Sequence, residues 1–110
     1  MVDEEKGRSV LTEAQALVYG DRNHDYGHPY EDYTKTAALW SVVLGVPVTA
    51  EQAILCMVLV KVSRHLNRST RDNLVDIGGY AECLNRVVNL CPEEKSRIEE
   101  KLGFLGLSPK

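Results

Sequence analysis

The stretch Thr49–Val88, TAEQAILCMVLVKVSRHLNRSTRDNLVDIGGYAECLNRVV, decides the fold. Thr49 with Gln52 three residues later is a capping-box signature, and it opens a helix from Ala50 to about Leu66. That helix is apolar almost all round, which predicts the central and most buried element. Asn67–Ser69 is a short link, and Thr70 caps a second helix with the stripe Leu74, Ile77, Ala81, Leu84 and Val88. A link this short makes the two helices antiparallel neighbours. Gly78-Gly79 inside the second helix costs about 1 kcal/mol per glycine against alanine, so the pair reads as a close helix crossing, a ligand against the backbone, or a local kink.

Working outward, Pro29 suits the first turn of another helix. Tyr33, Ala37, Trp40 and Leu44 form its core-facing seam, and Gly45 and Pro47 stop it. Ser9 caps a helix to Tyr19 with the stripe Leu11, Ala14, Leu17 and Val18, ended by Gly20. Between them, Asp21–His28 (DRNHDYGH) has no helical stripe and reads as a polar loop. Pro92 opens a short charged helix to about Leu102, followed by the tail GFLGLSPK. No segment alternates with period two for long enough to make a strand. The expected fold is all-α: one domain over 1–110, an antiparallel four-helix bundle with a short C-terminal helix, a flexible N-terminus over 1–8 and a tail over 103–110.

The 110 residues are 44% hydrophobic, enough for one core. A net charge of -3 argues against an extended nucleic-acid surface, though not against one nucleotide in a local basic pocket. The three cysteines, Cys56, Cys83 and Cys91, form no C-x-x-C pair, and Cys56 and Cys83 read as buried reduced thiols. The opening MVDEEKGRSV has no apolar region of a signal peptide, and no apolar run approaches the roughly 20 residues of a membrane helix, so a cytoplasmic location is expected.

Two groups of side chains can carry chemistry. Asp72, Asp76 and Tyr80 stand at i, i+4 and i+8 on one helix face. Two carboxylates one turn apart suit a hard cation such as Mg²⁺, and they equally suit a solvated acidic edge. On the preceding helix Lys61, Arg64, His65 and Arg68 advance along one side. Lys61 interrupts an apolar helix and needs a partner. Either it forms an interhelical salt bridge with Asp76, or Lys61 and Arg64 clamp a phosphate. The polar segment adds Arg22, Asp25, Tyr26 and His28: Tyr26 can stack on a base, and Asp25 can ligate a metal or pair with a cation. There is no zinc motif, Walker loop, Rossmann fingerprint or nucleophile elbow.

The segments DRNHDYGHPYEDY, AALWS and KVSRHLNRSTRDNLVDIGGYAECL resemble a small domain common in phage genomes. That domain is similar to the MazG-like all-α nucleotide pyrophosphohydrolases and to nucleotide-modification-associated domains. The resemblance covers about Leu11 to Val88 and implies a Mg²⁺-dependent cleavage of a nucleoside triphosphate to monophosphate and pyrophosphate in a homo-oligomer. By resemblance Asp76 matches the final Asp of the second metal motif, Tyr80 the aromatic that follows, and Asp72 the acidic residue beside Asn73, which stands where the motif has Glu. The first metal motif is replaced by Lys61-Val62-Ser63-Arg64, and two cations repel a divalent ion there. The expected site is therefore divergent. Asp72, Asp76 and Asp25 would hold one Mg²⁺, with Asp72, Asp76 and Lys61 as the catalytic groups. Lys61, Arg64, Tyr26, Arg22, His28 and Tyr80 would bind the nucleotide. The competing expectation is a non-enzymatic phage protein that acts as a protein-interaction module, in which Lys61 and Asp76 simply pair.

Overall fold

The computed structural model describes residues 7–106, and every regular element among them is a helix, with no strand. The helices are α1 (Val10–Tyr19), α2 (Asp21–Tyr26), α3 (Pro29–Leu44), α4 (Ala50–Asn67), α5 (Arg71–Val88) and α6 (Pro92–Phe104). The first six residues of the expected N-terminus, and the tail from Leu107 onward, lie outside the described residues.

The predicted caps are in place. Ser9 Oγ accepts from the Thr12 amide, and Thr70 Oγ1 accepts from the Asn73 amide. Thr49 and Gln52 close a reciprocal capping box. Gly45, at φ 73°, ends α3 in a left-handed conformation that suits glycine. Ser41 then ties the α3–α4 turn together: its hydroxyl donates to the Ala37 carbonyl and accepts from the Val48 amide.

Three expectations are corrected. First, Asp21–Tyr26 is a helix, not a loop. It packs on α1 and α3, and Arg86 of α5 donates to its Asn23, ties that leave no local stripe, so periodicity carried no sign of it. Gly27, at φ 75°, breaks it, and His28 caps α3. Second, the hub is α5, which packs on α1, α3 and α4, while among the described residues α4 packs only on α3 and α5. Ala53 and Ile54 of α4 are buried, but Leu55, Leu59 and Leu66 are exposed.

Third, the buried side of α5 is Val75 and Cys83, and Leu74, Ala81 and Val88 of the expected stripe are exposed. The glycine pair marks a close helix crossing. A Cβ on Gly78 would stand 3.3 Å from the Ala14 Cβ, and one on Gly79 would stand 3.7 Å from Val18 Cγ2. The glycines therefore admit α1 close against α5. Leu44 of the α3 seam and Leu11 and Leu17 of the α1 stripe are also exposed, as is Cys56.

The main core gathers Val18, Tyr33, Ala37, Ala53, Ile54 and Cys83, with Trp40, Met57 and Tyr80 against it. A second core joins Tyr30 of α3 to Ile98 and Leu102 of α6. It is fastened by the Tyr30 hydroxyl donating to Glu99 at 2.7 Å and by a Lys101–Glu31 ion pair. Burial, then the Glu99 bond, pushes the Tyr30 hydroxyl up to about 12. Among the described residues no helix is long and apolar enough to cross a membrane.

Candidate functional site

A cleft of about 450 Å³ opens between α1, α2, α3 and α5. Its polar wall comes from α2, the helix that periodicity did not predict, which contributes Asp21, Arg22, Asp25 and Tyr26. Asp32 and Tyr33 of α3 face them, and Asp76, Tyr80 and Cys83 of α5 close the far side.

Arg22 is the central group. Its Nη2 donates to Asp32 Oδ2 at 2.6 Å, and its guanidinium lies 5.0 Å from the Tyr33 ring centroid and 5.7 Å from that of Tyr26. Its Nη1 is buried with no hydrogen-bond partner among the described residues, so one arm of the fork is unspent. Burial pushes the Tyr33 hydroxyl above the ordinary tyrosine range, and the neighbouring Arg22 works in the opposite direction. Tyr33 and Tyr80 pack edge to face, with centroids 6.3 Å apart. Burial likewise raises the Cys83 thiol, which keeps it protonated and inert.

Lys61 stands outside this wall and reaches it through Asp76, with Nζ 2.8 Å from Oδ2. Asp76 is the one carboxylate of the expected α5 pair at the cleft. Asp72 is exposed on the first turn of α5 and lines no part of the cleft. Arg64 is exposed on α4 and makes no ion pair among the described residues. The expected Lys61, Arg64, Asp72 and Asp76 surface is therefore reduced to one ion pair.

Among the described residues no three His, Cys, Asp or Glu side chains are grouped so that they could hold a metal ion. Asp72, Asp76 and Asp25 do not converge: Asp72 points to solvent, and Asp76 is already neutralised by Lys61. The residues present do not fit the expected Mg²⁺.

His28 is also reassigned. Its Nδ1 accepts from the Tyr30 amide at 3.0 Å, which makes the imidazole the N-cap of α3. Burial, with Arg86 adding to it, holds its pKa below the ordinary histidine value. The sequence reading missed Asp32 and Arg86. Arg86 donates to Asn23 at 2.9 Å and lies 4.6 Å from the Tyr19 ring, pinning α2 to α5. No local spacing signals either residue, because their partners are 10 and 63 positions away.

A family model described as "Domain of unknown function (DUF6378)" matches residues 9–88. The chain belongs to this family. The matched region takes in α1 to α5 and every cleft residue, and it leaves α6 outside. Among curated proteins, the Gene 55 protein of Mycobacterium phage D29 is 38% identical over 80 residues, which is 72% of this chain and 53% of that protein. The Gene 55 protein of Mycobacterium phage L5 is 37% identical over 81 residues, 72% of this chain and 52% of that protein. The chain thus spans about half the length of these relatives. The resemblance to phage proteins holds, while the likeness to MazG-like enzymes rests on the sequence motifs alone. No solved structure matches.

Proposed function

We propose that this DUF6378 domain binds a nucleotide or nucleotide-like small molecule in the α2 cleft, in the cytoplasm of a phage-infected cell. The observation that carries this reading is Arg22. Its guanidinium is half committed, with Nη2 on Asp32 and Nη1 without a partner, and it lies beside the rings of Tyr26 and Tyr33. A planar base stacks on such aromatic faces, and a guanidinium fork takes a phosphate or a carbonyl. Tyr26 is exposed at the rim, where it can fold over a bound ring. Lys61 is the second cation within reach, available to a phosphate once it leaves Asp76. Descent from the MazG-like pyrophosphohydrolases belongs to this reading, with Asp76 and Tyr80 one turn apart at the cleft wall as its remnant. Cleavage does not belong to it: Lys61 and Arg64 stand where a MazG-like centre has its first carboxylate pair, and no three His, Cys, Asp or Glu side chains among the described residues are grouped to hold a metal ion.

Thermal-shift titration with a panel of nucleoside mono-, di- and triphosphates, with and without Mg²⁺, tests the reading, with pyrophosphate detection alongside. At least one nucleotide is expected to stabilise the protein, and Arg22→Met and Tyr26→Ala are expected to abolish that shift. No shift with any nucleotide would sink the binding reading, and pyrophosphate release would restore the hydrolase. A second reading, a protein-interaction module with no ligand, is favoured by one observation. Lys61 and Asp76 already satisfy each other. It predicts a blank nucleotide panel.

A further inference from the structure

Among the described residues the backbone of α6 approaches α3 and no other helix. Toward the start of α4 and the end of α5 it leaves a cavity of about 310 Å³, at the seam of the two cores. This cavity shares no lining residue with the α2 cleft. Its apolar floor is Ala37, Val48, Val87 and Leu90. Ligand cavities run from roughly 300 to 1,000 Å³, so this one suits a small molecule. Leu90 of its floor and Lys95 of its wall lie past residue 88, where the family match ends.

Thr34 is the side chain that points to a ligand. It lines the cavity, is 3% exposed, and its Oγ1 has no hydrogen-bond partner among the described residues. Two other hydroxyls of α3 bond back to the carbonyl four residues before them, Thr36 to Asp32 and Ser41 to Ala37. Thr34 forms no such bond, and a buried hydroxyl without a partner is costly.

Charge of both signs borders the same space. α4 begins there with Ala50 and Glu51, whose first-turn amides have no partner within the helix. The positive end of the dipole of this 18-residue helix therefore faces the cavity region. Lys95 of α6 lies across from it, with Nζ 5.7 Å from the centroid of the Tyr30 ring, which also lines the cavity. Glu51 supplies a carboxylate. Among the described residues neither Glu51 nor Lys95 forms an ion pair.

We propose that this cavity binds a free α-amino acid with an aliphatic side chain. Its carboxylate is met by Lys95, the Ala50 and Glu51 amides and the Thr34 hydroxyl, its ammonium by Glu51, and its side chain by the apolar floor. Only a ligand carrying both charges uses the whole set. A carboxylate without an ammonium group would face Glu51 uncompensated, and an amine without a carboxylate would face Lys95 and the helix dipole. A nucleoside polyphosphate would bring several negative charges against one lysine and a glutamate. The proposal is independent of what the α2 cleft binds.

Amide chemical-shift mapping of the full chain with leucine, valine, isoleucine and methionine tests it. At least one of them, leucine first, is expected to move the Ala50 and Glu51 amides and to leave those of Arg22 and Asp25 in place. Lys95→Met and Thr34→Val are each expected to weaken that binding by about tenfold, the worth of one charge-assisted hydrogen bond. Thr34→Val should also keep the thermal midpoint of the free protein, because its hydroxyl bonds to nothing there. No shift with any of the four amino acids would overturn the proposal, as would undiminished binding by Lys95→Met or a clear loss of stability in Thr34→Val. Isocaproate or isoamylamine binding as tightly as leucine would overturn it too, since each lacks one of the two charges. Nucleotides that move the Ala50 and Glu51 amides would give the cavity to a different ligand and overturn it as well.

Discussion

Lys61 Nζ lies 2.8 Å from Asp76 Oδ2, joining α4 to α5 at the edge of the cleft. The lysine side chain is 15% exposed and the aspartate 38%, so the pair sits between a buried and a surface ion pair. Exposed pairs contribute little, and breaking a buried one is costly because it strands a charge. A double-mutant cycle with Lys61→Met and Asp76→Asn, read by chemical denaturation, is expected to give a coupling of about 1 kcal/mol. Asp76→Asn should be the costlier single change, since it leaves the less exposed ammonium beside a neutral acceptor. If a bound nucleotide draws Lys61 to its phosphate, the same cycle measured with nucleotide present should give a smaller coupling.

His28 predicts a pH dependence. Its imidazole caps α3 through an unprotonated Nδ1, and burial lowers its pKa from 6.5. The unfolded chain therefore takes up a proton at higher pH than the folded chain does. Stability falls as pH drops through about 6.5 toward the lower folded value, and the contribution is fully present above that window. His28→Asn keeps a cap acceptor without a titrating ring. It is expected to flatten this part of the stability profile measured by denaturation between mildly acidic and neutral pH.

The two glycines of α5 should respond differently to alanine. A Cβ on Gly79 meets Val18 at an ordinary 3.7 Å, so Gly79→Ala is expected to stabilise by about 0.5–1 kcal/mol through helix propensity. A Cβ on Gly78 stands 3.3 Å from the Ala14 Cβ, which is carried on the backbone of α1 and yields little. Gly78→Ala should therefore be the less stable of the two in thermal melts. Gly78→Val should be destabilised outright, because it wedges α1 off α5.

Arg22 holds the cleft wall as well as any ligand. Arg22→Ala leaves Asp32 without its partner and uncovers the Tyr33 ring, with an expected loss of about 2 kcal/mol in denaturant unfolding. Arg22→Lys keeps the charge but has a single nitrogen, which cannot serve Asp32 and a ligand together. It is expected to recover most of the stability while nucleotide binding stays weak.

Much of the helical layout was legible in the chain. Ser9, Thr49, Thr70 and Pro29 mark helix starts by local chemistry, and Gly20 and Gly45 mark ends. These signals need only neighbours a few residues away. The Lys61–Asp76 pair was legible for a related reason: an isolated cation in an apolar helix needs a partner, and a three-residue link leaves few candidates. Arg22, Asp25, Tyr26, Asp76 and Tyr80 were singled out as functional, and all five line one cleft. Asp72 and Arg64 were singled out with them and stand exposed. Helical spacing places side chains around an axis but does not set which part of that circle meets the core.

By itself the sequence determined an all-helical chain, the positions of its caps, and the pairing of α4 with α5, because propensity, capping and short links act over one or two turns. Only the tertiary structure decided the rotation of each helix about its axis. It made α2 a helix, set His28 as the cap of α3, gave Arg22 its Asp32 partner, and sent the Leu55–Leu66 row outward. The physical reason lies in the packing of α1 on Gly78 and Gly79. The contact joins residues more than sixty positions apart, beyond the reach of local spacing.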